Sequence, residues 1–164
     1  MAGVRSGLKS GFAAGIVNAL IVLLGVHVLL GDVLAGWFSL PSPQPGAWLL
    51  LLAVAWWGGA RALREQPEGW KNVSVVGLLA GLAHGLVMGV LVGVLASLTA
   101  EGADIRQVLA KVSPEAVDLL TFGLSPIVAA LMMFGVMTLV GVVSALLANA
   151  STRYRWGESI AGVW

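Results

Sequence analysis

The sequence predicts an all-α integral membrane protein, a single membrane domain built as a bundle of four transmembrane helices with both termini cytoplasmic. Three observations predict it. Of the 164 residues, 59% are hydrophobic and only 10% charged, against about 25% charged in a soluble domain, so the chain cannot furnish a polar shell. Four apolar stretches come close to or exceed the roughly 20 residues that cross a hydrocarbon core as a helix. The basic residues that punctuate those stretches fall mostly on one side of the layer they define.

The spans are expected over about 11–34, 47–63, 73–98 and 117–149, none with a charge in its central part. Arg5 and Lys9 precede the first run as they would in a signal peptide. The run is too long for a signal's apolar region and no clear cleavage site follows it, so it is expected to be a retained helix. Pro41, Pro43 and Pro45 break the chain after the first span, because proline removes a backbone donor and clashes with the preceding turn. Arg61, Arg64, Glu65, Pro67, Glu68 and Lys71 form a short polar turn between the second and third. Segment 101–112 carries Ile105, Val108, Leu109 and Val112 at helical spacing among mixed charges, which predicts a short amphipathic helix on the membrane surface. Ser113, Pro114 and Glu115 then supply an N-cap, a first-turn proline and a first-turn acid for the fourth helix.

Orientation follows from the basic residues. Arg5, Lys9, Arg61, Arg64, Lys71, Arg153 and Arg155 share one side, while Arg106 and Lys111 share the other. The larger group marks the cytoplasmic face. Trp37, Trp48, Trp70 and Trp156 stand near span ends as interfacial anchors do, whereas Trp56 and Trp57 lie deeper and suit packing on a partner. The segment from Ala14 to Ile21 matches that from Ala80 to Val87 at an offset of 66 residues, which fits either two similar helical hairpins of the same topology or a chance likeness of two apolar, glycine-rich segments.

The strongest local pattern is in the third span, where Gly77, Gly81, Gly85, Gly89 and Gly93 recur every fourth residue. A strip without side chains lets another helix come close, so that dispersion contacts accumulate. The pattern fits internal packing or an interface with another subunit or copy. Gly11 and Gly15 form a shorter strip in the first span. Gly85→Leu is expected to disrupt assembly or folding far more than Gly58→Leu, because Gly58 lies off the strip.

Few groups could carry chemistry. The chain has no cysteine, which excludes disulfides and thiolate ligands. It has no phosphate-binding loop, no HExxH and no GxSxG, so no catalytic residue is assigned and the protein is expected not to be an enzyme. A net charge of +1 points to no nucleic-acid partner. His84 and His27 lie in expected spans, where an ionisable group is a functional candidate. Either could serve as an axial cofactor or pigment ligand or in a proton relay, or stand as a neutral histidine bonded to a neighbouring helix. Counted from the inner ends of their spans at 1.5 Å per residue, they lie at about 15 Å and about 24 Å depth, a poor bis-histidine pair. No cofactor and no metal site is assigned. Asn18, the repeat counterpart of His84, is expected to be a buried polar tie between helices. Pro126, inside the fourth span, is a kink and hinge candidate. Met132, Met133, Phe134 and Met137 read as an apolar patch in core or lipid contact. Glu101, Asp104, Glu115 and Asp118 are expected outside the membrane as a solvated face.

One stretch, from Val112 to Gly123 (VSPEAVDLLTFG), resembles part of the N-terminal membrane region that precedes the permease core in some bacterial branched-chain amino-acid-type ABC transporters. Gly7-Leu8-Lys9-Ser10-Gly11 and Gly36-Trp37-Phe38-Ser39-Leu40 resemble it too. The resemblance implies a multi-pass protein of a bacterial inner membrane, without the translocation core or its ATPase-coupling loop, acting as an accessory module or as a piece of a longer permease. It carries over no binding residue. The partners expected are the lipid bilayer and either other membrane subunits or further copies of the chain. Three functions compete: a non-enzymatic module packing on other subunits, a small homo-oligomeric transporter or channel using His84, Asn18 and Pro126, and a cofactor-holding subunit of a photosynthetic or respiratory complex.

Overall fold

The computed structural model describes residues 2–64, 70–100 and 114–161, which form six helices and, among the described residues, no strand. They are α1 (Ala2–Leu23), α2 (Val26–Phe38), α3 (Gln44–Arg64), α4 (Trp70–Ala100), α5 (Pro114–Thr121) and α6 (Pro126–Ala161). Four contain stretches long and apolar enough to cross a bilayer: Val4–Leu23, Gln44–Leu63, Val73–Thr99 and Pro126–Ala150. The expected second and third spans are continuous helices, each starting three residues earlier than expected. The amphipathic segment 101–112 lies outside the described residues.

The first and fourth spans differ from expectation in the same way: each is two helices. The first stops at Gly25, whose φ of 69° places it in the left-handed region. Glycine enters that region without the Cβ penalty that other residues meet. The Gly25 carbonyl then accepts from Val28 and Leu29 and starts α2. At 13 residues, α2 extends about 20 Å and falls short of a 30 Å hydrocarbon core. His27 therefore belongs to this short helix and not to the first span.

The fourth span breaks at Phe122 and Gly123, with φ of 55° and 67°. Pro126 is not a kink in a continuous helix. It is the first residue of α6, where a missing N–H costs nothing because no turn precedes it to receive the bond. The Ser125 carbonyl accepts the first bond, from Ala129 at 2.8 Å.

The contacts fix relative directions. Gly7 faces Val76 and Gly11 faces Ala80, so α1 and α4 run parallel. Ser6 donates to the Ala62 carbonyl while Asn18 reaches Leu51, so α3 runs antiparallel to α1. Gly77 faces Ala145 and Gly93 faces Ala130, so α6 runs antiparallel to α4. The start of α1, the end of α3, the start of α4 and the end of α6 thus share one end of the bundle, and these are the segments that carry the seven basic residues from Arg5 to Arg155.

At the opposite end, α2 and α5 brace the start of α3. Gly31 and Gly46 let α2 and α3 touch backbone to backbone. Trp48 and Gln44 both donate to the Leu119 carbonyl, at 3.2 and 3.3 Å. This satisfies one of the final-turn acceptors of α5 that lack a partner within their own helix. The Trp48 ring also stacks, tilted, on Phe122 at 5.7 Å. Trp48 is thus a structural brace more than a surface anchor, whereas Trp37 is 78% exposed. Trp56 and Trp57 are exposed, and Arg61 lies over the Trp57 ring at 5.2 Å. Leucine, valine and isoleucine side chains such as Leu29, Leu131 and Ile127 cover much of the outer surface, as a protein solvated by lipid requires.

Candidate functional site

The centre of the bundle holds a polar contact in an apolar surrounding. Asn18 on α1 and His84 on α4 are 0% and 2% exposed. The Asn18 Nδ2 group lies 2.9 Å from the Leu51 carbonyl oxygen on α3 and 2.9 Å from His84 Nε2. A carbonyl can only accept, so the amide must present its NH2 to Leu51. Its second hydrogen then points at Nε2, which must accept. His84 is thereby neutral, with its proton on Nδ1. One side chain ties three helices, and the Asn18 Oδ1 atom is left without a hydrogen-bond partner. Nδ2 donates to an α3 carbonyl that is already part of its own helix's ladder, which is how polar side chains link helices where water is absent.

His27 sits elsewhere. Its Nε2 donates to the Ala116 carbonyl of α5 at 3.3 Å, and its Nδ1 is buried without a partner. The two candidate ligands therefore stand on different layers: His84 meets its repeat counterpart Asn18, and His27 braces α2 against α5. Among the described residues, no three histidine, aspartate or glutamate side chains come together. Asp118 is exposed, and Glu101 and Asp104 lie outside the described residues.

All five ladder glycines face α6 of the same chain. A Cβ at Gly77 would lie 2.5 Å from the Ala145 methyl, at Gly85 2.6 Å from the Phe134 carbonyl oxygen, and at Gly89 and Gly93 3.0 Å from Ala130. At Gly81 it would run into the backbone of Thr138, and Gly141 on α6 meets Gly81 from the other side. Thr138 adds a 3.4 Å hydrogen bond from Oγ1 to the Gly81 carbonyl. The ladder is thus filled from within, tightest at Gly81 and looser toward Gly93. Gly141 was not among the packing residues expected from the sequence. The signal was there in Gly141 and Ala145, two small residues one turn apart. Gly11 and Gly15 face α4, against Ala80 and Val87. Gly58 is no neutral site: a Cβ there would lie 2.6 Å from the Ala14 methyl.

Where α4 and α6 splay, beyond Gly85, an apolar groove of about 520 Å³ opens on the outer surface. Its floor is Gly85, Gly89, Gly93 and Ala130, and its rims are the exposed residues Leu86, Val90, Val94 and Leu131. Ser97 is the sole side chain in its lining able to hydrogen-bond, and its hydroxyl is already given to the Gly93 carbonyl at 2.9 Å. The groove can take an apolar, closely approaching occupant and offers nothing to a polar solute.

No protein family, curated protein or solved structure matches the chain.

Proposed function

We propose that this chain is a non-enzymatic membrane module whose α4–α6 face packs against a transmembrane helix of another subunit, in the accessory role that the permease resemblance implies. On this reading both termini are cytoplasmic, because the end of the bundle that gathers the basic segments is the one retained inside. The observation that carries the proposal is the groove. Its exposed apolar rims and the half-buried small residues Gly93 and Ala130 between them admit the side chains of a foreign helix, and packing of that kind is what drives helix association where lipid and side chain are equally apolar.

The absence of cysteine makes the test direct. Val90→Cys puts a single thiol on the groove rim, and Leu49→Cys, on α3 and 60% exposed, serves as the control. Cross-linking in native membranes should join the Val90→Cys chain to one membrane polypeptide of a different sequence, and Leu49→Cys should not. Adding Val94→Trp, which crowds the groove from its rim without touching α6, should abolish the product. A product containing only this chain would move the assignment to a homo-oligomer. Solute flux by the isolated chain in vesicles would overturn the module reading.

A further inference from the structure

The antiparallel register of α4 and α6 aligns four donor side chains. Gly85 faces both Phe134 and Thr138, and Gly89 faces both Ala130 and Phe134. Interpolating between these contacts, His84 stands level with Met137 and Met88 stands level with Met133. All four are buried, the three methionines at 0% exposure, and Met88, Met133 and Met137 belong to one contiguous core. Three of the chain's five methionines are therefore buried at the level of the Asn18–His84 contact and the turn next to it. Asn18 borders the same layer, with an amide oxygen that nothing satisfies.

We infer that His84, Met88, Met133 and Met137 form an intramembrane site for a soft monovalent cation, Cu(I) or its redox-inert analogue Ag(I). Three considerations select that class. Thioether sulfur and imidazole are ligands suited to Cu(I), whereas Mg, Ca and Mn take oxygen donors. The donor set is neutral, so a single charge is the least costly one to hold away from water. Among the residues whose side chains are described, the carboxylates are Asp32 and Asp118, both exposed, so none is buried in the core to balance a second charge.

The unsatisfied oxygen of Asn18 fits this occupant. In the metal-free arrangement His84 Nε2 accepts from Asn18 and Nδ1 carries the proton. Metal binding at Nδ1 takes that nitrogen's lone pair, so the single ring proton moves from Nδ1 to Nε2, which turns from acceptor to donor. A half-turn of the Asn18 amide then brings Oδ1 to it, giving up the Leu51 hydrogen bond. A metal-bound histidine commonly donates its other N–H to such an acceptor, which fixes the ring. Asn18 is a positioning residue in this scheme and touches no metal.

Silver titration of the purified chain in detergent, by calorimetry against a competing chelator, tests the inference. The wild-type chain should bind one Ag(I). The Met88→Leu/Met133→Leu variant conserves side-chain volume and so should keep its fold, but should bind at least about 100-fold more weakly, and Asn18→Ala about tenfold more weakly. Met132→Leu, adjacent in sequence but only half buried, should bind as the wild type does. Silver binding that is absent in the wild type, or unchanged in the double variant, overturns the site. X-ray absorption of the Cu(I)-loaded wild type answers without any variant: sulfur and nitrogen neighbours support the site, and oxygen neighbours alone overturn it.

Discussion

The two seams that α4 makes begin alike and end differently. Toward α6, α4 contributes five glycines, and the partner contributes Gly141, backbone, Ala145 and Ala130. Toward α1 the roles reverse: α1 contributes Gly7, Gly11 and Gly15, and α4 presents Val76, Ala80 and Val87. Both seams reach backbone-to-backbone contact, at Gly81 against Thr138 and at Gly11 against Ala80. The α1 seam then closes in the Asn18–His84 contact, and the α6 seam splays into an open groove. Small residues allow close approach but say little about register, because one glycine accommodates a neighbour much as the next does. A directional contact fixes the register. The sequence equivalence of positions 11, 15 and 18 with 77, 81 and 84 therefore does not carry through to packing: Gly11 faces α4, whereas Gly77 faces α6.

The largest effects should come from filling the tight part of each seam. Gly81→Leu drives a side chain into the Thr138 backbone, and Gly11→Leu into the backbone of Ala80. Neither neighbour is a flexible side-chain end, so a helix must move. Overpacking a filled core costs about 1–3 kcal/mol and more when backbone is displaced. Both variants should lose the monodisperse peak in size-exclusion chromatography. Gly135→Leu, on α6 with nothing within 4 Å, should keep it. If only Gly81→Leu fails, the α1 seam is adaptable and the two are not equivalent in strength.

Much of this was legible from the residues, and the parts that were not share a cause. The spans of α3 and α4 are set by apolar length and flanking charge, both additive along the chain. The breaks at Gly25 and at Phe122–Gly123 are conformational. Hydropathy runs unbroken through Leu24-Gly25-Val26, and the left-handed φ that stops the helix leaves no trace in it. Pro126 was visible as an irregularity, but whether a proline bends one helix or opens the next depends on what precedes it, here two left-handed residues. The ladder was plain, yet its partner was not, because a glycine strip has no sign of its own to show what covers it. The meeting of Asn18 and His84 could be anticipated from their matched positions in two parallel helices, whereas Met88 went unremarked because one buried methionine looks like any other filler.

An intermediate effect is expected from the polar tie. Asn18→Ala and His84→Ala each remove one partner, and the coupling between them isolates the contact. Side-chain hydrogen bonds between membrane helices average about 0.6 kcal/mol and reach about 1.7. The Asn18–His84 coupling should fall in the upper half of that range, because both groups are enclosed in the apolar core. Reversible unfolding in mixed micelles measures it. A coupling near zero would mean that the α1 seam is held by its glycines alone, and the contrast with the α6 seam would reduce to which helix supplies them.

The smallest effect, and the sharpest on the comparison, is expected at the loose end of the ladder. A Cβ at Gly93 would meet the Ala130 methyl at 3.0 Å and the Pro126 carbonyl oxygen at 3.9 Å. Two methyl groups can separate by a few tenths of an ångström if α6 is free to lean outward, and the groove beside them gives it that freedom. Against this small strain stands the helix preference of alanine over glycine, about 1 kcal/mol. Gly93→Ala should therefore change stability by less than about 0.5 kcal/mol, while Gly81→Ala, facing the Thr138 backbone, should cost several times more. Thermal unfolding of the two variants side by side measures the gradient along one face of one helix. Equal losses at both positions would mean that the seam is closed along its whole length in the bilayer, and the groove that distinguishes the α6 side from the α1 side would be gone.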